Sequence, residues 1–245
     1  QFSSANYSVA ENVPGGLATV TVLRTGGAGG TATVNYATAP GSALSPADFG
    51  STSGTLTFAP GDISKTFTVS IVNDGTDEPD ENLTMSLSGA SGATLGVPAS
   101  ATLTINDDDA PPSLTINDVT TTEGNSGTTN AVFTVSLSAA SGFPVTVDYA
   151  TAAGSATSGT DFSATSSTLT IPAGSTSGTI TVAVKGDTLT EGNESYVVNL
   201  SNASGAVIAD SQGAGQITDD DPIPAITIAN ASVSEGSGGT MNMVF

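Results

Sequence analysis

The chain contains no cysteine and no histidine among its 245 residues. Without cysteine it can form neither a disulfide framework nor a thiolate metal site. Without histidine it lacks the usual general base of enzymes and the commonest ligand of transition metals. Tryptophan is also absent, and aromatic residues make up only 5% of the chain. An aromatic-lined catalytic cleft, such as that of a glycoside hydrolase, is therefore not expected, and the sequence predicts no enzyme.

Positive charge is almost as scarce. Arg24, Lys65 and Lys185 are the only basic residues, whereas 23 residues are acidic, which gives a formal net charge of −20. A surface of that sign repels nucleic acid and anionic membranes. No apolar stretch approaches the roughly 18 residues that cross a bilayer, and the N-terminus does not resemble a signal peptide. We expect no nucleic-acid partner and no direct membrane insertion.

The sequence repeats itself with a period of about 112 residues. Glu11, Glu123 and Glu235 are separated by 112 residues each and lie in the related tetrapeptides VAEN, TTEG and VSEG. The segment YATA at residues 36–39 returns at 149–152. Such self-similarity indicates a tandem array. We predict one domain at residues 1–109, a second at 110–221, and at 222–245 a linker with the first strands of an incomplete third.

Within each repeat, apolar residues alternate with polar ones, which is the period of half-buried strands. Residues 67–71 and 180–184 are examples, and turn signals such as Pro60-Gly61 and Ala173-Gly174 separate the runs. About seven strands in roughly 110 residues are typical of an antiparallel β-sandwich. The predicted fold is therefore all-β, with tandem immunoglobulin-like sandwiches. Prolines in the linkers at 110–112 and 222–224 predict a semi-rigid rod.

The acidic residues fall in clusters that both repeats reproduce with the same internal spacing. In the first repeat they are Glu11, Asp48, Asp74, Glu78, Glu81, Asp107, Asp108 and Asp109. In the second they are Glu123, Asp161, Asp187, Glu191, Glu194, Asp219, Asp220 and Asp221. The loops at one end of a sandwich gather residues that are distant in sequence, so we expect each set to converge. Asp77 and Asp80, by contrast, have no acidic counterpart in the second repeat.

Clusters made only of carboxylates favour Ca²⁺, which takes about 6–8 oxygen ligands in flexible geometry. The absence of cysteine and histidine argues against zinc and copper, and Mg²⁺ prefers octahedral sites that retain water. A simpler interpretation is an acidic, solvated end that keeps the protein soluble. The three consecutive aspartates at 107–109 and 219–221, taken alone, fit a linker equally well. The recurrence of the spacing in two repeats favours the metal. An EF-hand is rejected because the later ligands and the flanking helices are missing.

Several motifs together resemble the Calx-β family. They are VAEN at residues 9–12, YATA at 36–39, GTLTFAPG at 54–61, DEPDENL at 77–83 and INDDD at 105–109. The resemblance covers both full repeats and the start of the third, and it implies that the Ca²⁺ ligands of the family fall on the clustered acids of both repeats. Strongly binding members carry a further Asp just before the trio of acids that corresponds to Asp74/Glu78/Glu81 and Asp187/Glu191/Glu194. This chain has Asn73 and Gly186 at that position, which implies fewer ions or weaker binding. The role of Glu235 stays open.

The family occurs in the regulatory loop of sodium–calcium exchangers and in bacterial surface proteins, so the resemblance leaves two functions open. The array and the lack of cysteine favour a secreted, extracellular structural or adhesive segment, in which Ca²⁺ rigidifies domain ends and junctions. The alternative is a Ca²⁺-sensing regulatory module of a larger protein. Besides calcium ions, neighbouring copies of the chain are considered as partners, because strand exchange through residues 225–245 would build a fibre.

Overall fold

The computed structural model describes residues 1–244, which form two β-sandwiches in sequence. The strands of the first are β1 (Asn6–Ala10), β2 (Leu17–Leu23), β3 (Ala32–Pro40), β4 (Phe49–Gly50), β5 (Ser53–Phe58), β6 (Ser64–Ile71), β7 (Glu81–Ser91) and β8 (Ser100–Asn106). Those of the second are β9 (Ser113–Ile116), β10 (Val119–Thr122), β11 (Gly127–Leu137), β12 (Val145–Ala153), β13 (Ser166–Ile171), β14 (Ser177–Gly186), β15 (Glu194–Ser204), β16 (Val207–Ile208) and β17 (Gln212–Thr218). The predicted all-β fold is confirmed.

Each sandwich pairs a five-stranded sheet with a smaller one. The sheets of the first are ordered β1-β8-β7-β3-β5 and β2-β6-β4, and those of the second β10-β17-β15-β12-β13 and β14-β11-β9-β16. Neighbouring strands are antiparallel, as predicted, except that β1 is parallel to β8, β10 to β17 and β16 to β9. Because β1 and β8 are parallel neighbours, their C-terminal ends lie side by side at the same end of the sandwich. Among the described residues, no helix is long and apolar enough to cross a membrane.

The alternating sequence pattern produces two separate hydrophobic cores. In β6, the side chains of Phe67, Val69 and Ile71 are buried, while the residues between them are exposed. Successive side chains of a strand point to opposite faces, so each strand contributes every second residue to the core. Tyr36, which the sequence places on the apolar face, is half-buried and stacks on Phe67 with ring centroids 4.1 Å apart.

The two cores differ where the second domain holds a buried tyrosine. Tyr196 is 1% exposed and stacks on Phe162 with centroids 4.7 Å apart. It pairs with Gly215 on β17, and a Cβ at Gly215 would overlap the tyrosine ring. The first domain has Leu83 opposite Leu103 at the equivalent pair. Two leucines in the first domain are thus replaced in the second by a large tyrosine and a glycine without a side chain.

The structure assigns no strand to residues 219–244, and Phe245 lies outside the described residues. The predicted first strands of a third domain are thus not paired with any other strand. Short strands without a partner sheet are only marginally stable in water. Glu235 is exposed. The first linker is better held, since the N–H of Val207 donates to the carbonyl of Pro112 at 2.9 Å. The assignment of residues 222–245 to a third repeat stays a prediction.

Candidate metal centre

The sheet topology places the clustered carboxylates at one pole of each sandwich. Glu11 directly follows β1 and Asp107–Asp109 directly follow the parallel strand β8. Glu81 begins the antiparallel strand β7, opposite Ile105 near the end of β8. The second domain repeats this arrangement with Glu123 after β10, Asp219–Asp221 after β17 and Glu194 at the start of β15. Residues remote in sequence thus meet at the pole where the chain leaves the domain.

The remaining acids come from loops. The carboxylate of Asp48 accepts a hydrogen bond from the N–H of Leu44 at 2.6 Å, and its own N–H donates to the carbonyl of Leu44 at 2.8 Å. Asp161 forms the same compact turn with Thr157, at 2.6 and 3.0 Å. The loops after β6 and β14 carry Asp74, Glu78, Asp187 and Glu191.

Among residues 1–244, the carboxylates form four triads, two in each domain. In each triad, one oxygen of every residue lies within 4.8 Å of the others. The triads are Glu11/Asp74/Asp109 and Asp48/Glu78/Glu81 in the first domain, and Glu123/Asp219/Asp221 and Asp161/Glu191/Glu194 in the second. A small cavity joins the two triads of the first domain, and Asp107 also lines it. The structure therefore brings the predicted clusters together, while their role as ion ligands stays a prediction.

Four of the predicted ligands lie outside the triads: Asp107, Asp108, Asp187 and Asp220. Asp108 accepts hydrogen bonds from the N–H of Asn12, at 3.2 Å, and from the side-chain amide of Asn12. Asp220 accepts one from the N–H of Gly124 at 3.0 Å. These two aspartates hold the turns that follow Glu11 and Glu123, a positioning contact that the sequence did not indicate.

No cation of the described chain balances the triads. The only ion pair among residues 1–244 joins Lys65 Nζ to Asp62 at 2.8 Å, and neither residue belongs to a triad. Three carboxylate oxygens are buried without a hydrogen-bond partner: Asp107 Oδ1, Asp109 Oδ2 and Asp221 Oδ2. A buried charged acceptor without a partner is costly. A metal ion among these oxygens would supply the missing partner.

The crowded carboxylates shift one another's protonation. Burial and, to a smaller extent, the nearby charges of Asp187 and Asp219 together raise the pKa of Glu123, which is 4% exposed, to about 7. Burial, then a hydrogen bond with Asp48, raises the pKa of Glu81 to about 7. The pKa of Glu194 rises to about 7 through burial and its hydrogen bond with Asp161. Without a cation, the three triads that contain these residues therefore retain protons near neutral pH.

The position before each trio explains the departure from the family pattern. A Cβ on Gly186 would overlap the carbonyl oxygens of Glu123 and Gly124, so no side chain fits there. In the first domain, the amide of Asn73 donates to the carbonyl of Asp74 at 3.2 Å. A further acidic ligand is thus sterically excluded from the second domain and replaced by an amide in the first.

The two domains are also in contact, through residues that the sequence did not indicate. The carbonyl of Asp77 accepts hydrogen bonds from the N–H of Gly142 at 2.9 Å and from Ser141 Oγ at 3.3 Å. Ser141 is 1% exposed, and a Cβ on Gly142 would lie 2.8 Å from Glu78 Cγ. The carboxylate loop of the first domain therefore packs on the β11–β12 loop of the second. A main-chain acceptor leaves no signature in sequence, which is why comparison of the repeats gives Asp77 no role.

Comparison with known proteins identifies related sequences. The profile of the Calx-beta domain matches twice, over residues 1–109 and 107–221. Sodium/calcium exchanger 1 of Mus musculus is 34% identical over 127 residues, covering 44% of this chain and 13% of the exchanger. The sodium/calcium exchanger Calx of Drosophila melanogaster is 37% identical over 109 residues, covering 44% of this chain and 11% of the exchanger. The chain thus matches only a small part of each exchanger's length.

Similar solved structures include the crystal structure of calcium binding domain CBD12 of CALX1.1. It is 26% identical, has a TM-score of 0.44, and the match covers 82% of this chain and 79% of that one. The apo-form Calx CBD1 domain is 37% identical with a TM-score of 0.42, covering 44% of this chain and 95% of that one. The profile match, which covers both repeats, carries the family assignment.

Proposed function

We propose that this chain, which belongs to the Calx-β domain family, is a Ca²⁺-binding regulatory module that senses Ca²⁺ within a larger protein. The observation that carries the proposal is the set of four carboxylate triads, whose oxygens lie within 4.8 Å of one another in each triad. The one ion pair of the described residues leaves all of them without a balancing cation. The related sequences in sodium/calcium exchangers favour the sensing role.

The chemistry of the triads fits Ca²⁺ better than other metal ions. Every candidate ligand is a carboxylate oxygen, and Ca²⁺ accepts 6–8 oxygens from several loops in flexible geometry. Mg²⁺ usually binds through one or two carboxylates and keeps several waters, whereas zinc and copper prefer nitrogen or sulfur. Main-chain carbonyls and water would complete the coordination of each ion. We therefore expect two Ca²⁺ ions in each domain.

The triad of Asp48, Glu78 and Glu81 connects ion binding to the neighbouring domain. Glu78 belongs to this triad and also packs against Gly142 of the second domain. The next residue towards the N-terminus, Asp77, accepts the hydrogen bonds of the interdomain contact, two at its carbonyl and a longer one of 3.5 Å at its carboxylate. A bound ion would fix the loop that carries both residues, whereas repulsion between bare carboxylates would loosen it. Ca²⁺ occupancy would thereby set how firmly the first domain holds the second.

The leading interpretation of the sequence, a secreted structural or adhesive segment, gains no support from the exchanger relatives. Secretion and self-association in a fibre remain predictions, and no catalytic role is proposed. The affinity for Ca²⁺ separates the two functions, because sensors bind at about 10⁻⁷–10⁻⁵ M and extracellular modules at about 10⁻⁴–10⁻³ M. A dissociation constant in the weaker range would favour the extracellular segment.

The direct test is calorimetric titration of the metal-free chain with Ca²⁺ and, separately, with Mg²⁺. We expect about four Ca²⁺ ions to bind in the sensor range, and Mg²⁺ to bind at least about tenfold more weakly. Glu81→Gln and Glu194→Gln should each abolish or weaken binding in their own domain only. Glu235→Gln is the matched control, since it removes an equal charge from an exposed position. If Ca²⁺ gives no saturable binding, or if neither triad substitution alters it, the proposed function is wrong.

A further inference from the structure

Each run of three aspartates, 107–109 and 219–221, follows directly on the last strand of its sandwich. In both runs the first and third side chains are partly buried and the middle one is exposed. Asp107 and Asp109 each have a buried carboxylate oxygen without a hydrogen-bond partner, and Asp107 lines the cavity between the two triads. Asp108 instead accepts hydrogen bonds from a neighbouring turn. The first and third aspartates of a run therefore face the proposed ion sites, whereas the middle one does not.

This division depends on the main chain staying extended beyond the end of the strand. Ile105 of β8 is buried in the core, and side chains of an extended chain alternate between two faces. Residues 107 and 109 then lie on the face of Ile105, and residue 108 lies on the other. Three identical side chains cannot select this register, because a shift by one residue would bring the middle aspartate to the cluster. A contact to the main chain beyond the strand is needed to hold it.

One side chain supplies such a contact in each domain. The N–H of Asp107 donates to Oδ1 of Asp80 at 3.2 Å, and the N–H of Asp219 donates to Oδ1 of Asn193 at 3.3 Å. Asp80 and Asn193 are 113 residues apart, and they lie immediately before β7 and β15, the antiparallel neighbours of β8 and β17. The side-chain oxygen therefore adds one hydrogen bond to the strand pairing, at the first aspartate of the run.

The two acceptors have the same shape but a different charge. Asp80 is a carboxylate and Asn193 is a neutral amide, both are exposed, and neither belongs to a triad. An acid that served only to attract the ion would need its charge in both domains, whereas a main-chain contact needs only the oxygen. What the two domains share at this position is the acceptor. Comparison of the acids alone overlooks it, since Asn193 is not an acid.

We infer that Asp80 and Asn193 are positioning residues, which hold the first aspartate of each run so that the first and third aspartates face the ion. The inference rests on the proposed binding of Ca²⁺ by both domains. Each positioning residue acts through the aspartate that it holds, Asp107 or Asp219, and does not itself contact the ion. Without the acceptor, the chain beyond the strand gains conformational freedom, and ion binding has to restrict that freedom again.

The test removes the acceptor at constant charge. Asn193→Ala exchanges one neutral side chain for another, and Asp80→Ala is compared with Asp80→Asn, which loses the same charge but keeps the oxygen. In calorimetric titration with Ca²⁺, each alanine variant should bind about three- to tenfold more weakly than the wild type at Asn193 or than Asp80→Asn. Asn193→Asp keeps the acceptor and should bind at least as tightly as the wild type.

The two domains are measured separately within the full chain. Asn193 variants are titrated in chains that also carry Glu81→Gln, and Asp80 variants in chains that carry Glu194→Gln, so that binding by the other domain is reduced. Asn6→Ala is the control, because Asn6 is exposed on β1 and should leave the affinity unchanged. A merely structural contact would lower the melting temperature equally in chelator and in Ca²⁺, whereas we expect the loss mainly in Ca²⁺.

The outcomes separate this inference from the proposed function. Saturable Ca²⁺ binding that is equal in the alanine variants and their partners would overturn the inference and leave the proposed function intact. Binding by Asn193→Asp that is as weak as that of Asn193→Ala would also overturn it, since the acceptor would then have no effect. If the parent chains show no saturable binding at all, the proposed function is wrong and the inference falls with it.

Discussion

Glu123 provides a quantitative test of the repulsion among the uncompensated carboxylates. The substitution Glu123→Gln keeps the shape of the side chain and removes its charge. A rise of the pKa from 4.5 to about 7 corresponds to roughly 3 kcal/mol when the carboxyl is fully ionised, at about 1.4 kcal/mol per pKa unit. The side chain is only 4% exposed, so solvent screens little of this cost, and we expect a gain of about 2 kcal/mol in the metal-free protein at pH 8.

The pH dependence follows from the direction of the pKa change. The folded pKa lies above the unfolded value, so the wild-type protein is destabilised progressively as pH rises from about 4.5 to about 7. The stabilisation by Glu123→Gln should therefore be near zero below pH 4.5 and largest above pH 7. In saturating Ca²⁺ the order should reverse, because the variant has lost a ligand that the ion stabilises.

The assay is thermal unfolding in chelator across this pH range, followed by the same scan in Ca²⁺. For a domain of about 110 residues, 2 kcal/mol raises the melting temperature by about 8–14 °C. Glu235→Gln removes an equal charge from an exposed residue and should change neither scan. An equal stabilisation at pH 4 and pH 8 would show that packing, not charge, is responsible and would refute the reasoning.

Two further predictions concern glycines of the second domain, one of which is compared with its counterpart in the first domain, Asn73. Gly215→Ala should destabilise the second domain by about 3 kcal/mol in urea unfolding, since the new Cβ overlaps the ring of Tyr196. Adding Tyr196→Leu should restore part of the lost stability. Gly192→Ala is the control, because no atom lies near its Cβ position. Gly186→Asp should lower the melting temperature without improving Ca²⁺ affinity, whereas Asn73→Asp should fold normally and bind Ca²⁺ more tightly in calorimetry. Equal tolerance of both aspartates would contradict the steric argument.

Much of the fold could be predicted because its determinants are local. Alternation of apolar residues specifies which face of a strand is buried, as at Phe67 and Ile180, and the burial of both follows that pattern. The convergence of the acids could be predicted from topology, since the ends of neighbouring strands meet at one pole of a sandwich. Comparison of the two repeats identified the converging acids because both domains keep acids at the same positions.

The division of the acids into triads could not be predicted, since it depends on where each loop turns in space. The two domains even use different members, with Asp74 in one triad of the first domain and Asp219 in the corresponding triad of the second. Asp108 and Asp220 look like ligands in sequence, yet each accepts hydrogen bonds from a neighbouring turn. Spacing alone does not distinguish an acid that faces the cluster from one that faces the main chain.

The joint at Asp77 has a consequence for how such proteins diversify. It is built from a peptide carbonyl on one side and a glycine N–H with a small hydroxyl residue on the other. Any amino acid supplies that carbonyl, so a substitution at this position keeps the main-chain part of the junction and loses only the long 3.5 Å hydrogen bond from Ser141 Oγ to the Asp77 carboxylate. A gene segment encoding one domain could therefore be duplicated or exchanged and still form this contact, as long as the following domain keeps small residues at the positions of Ser141 and Gly142.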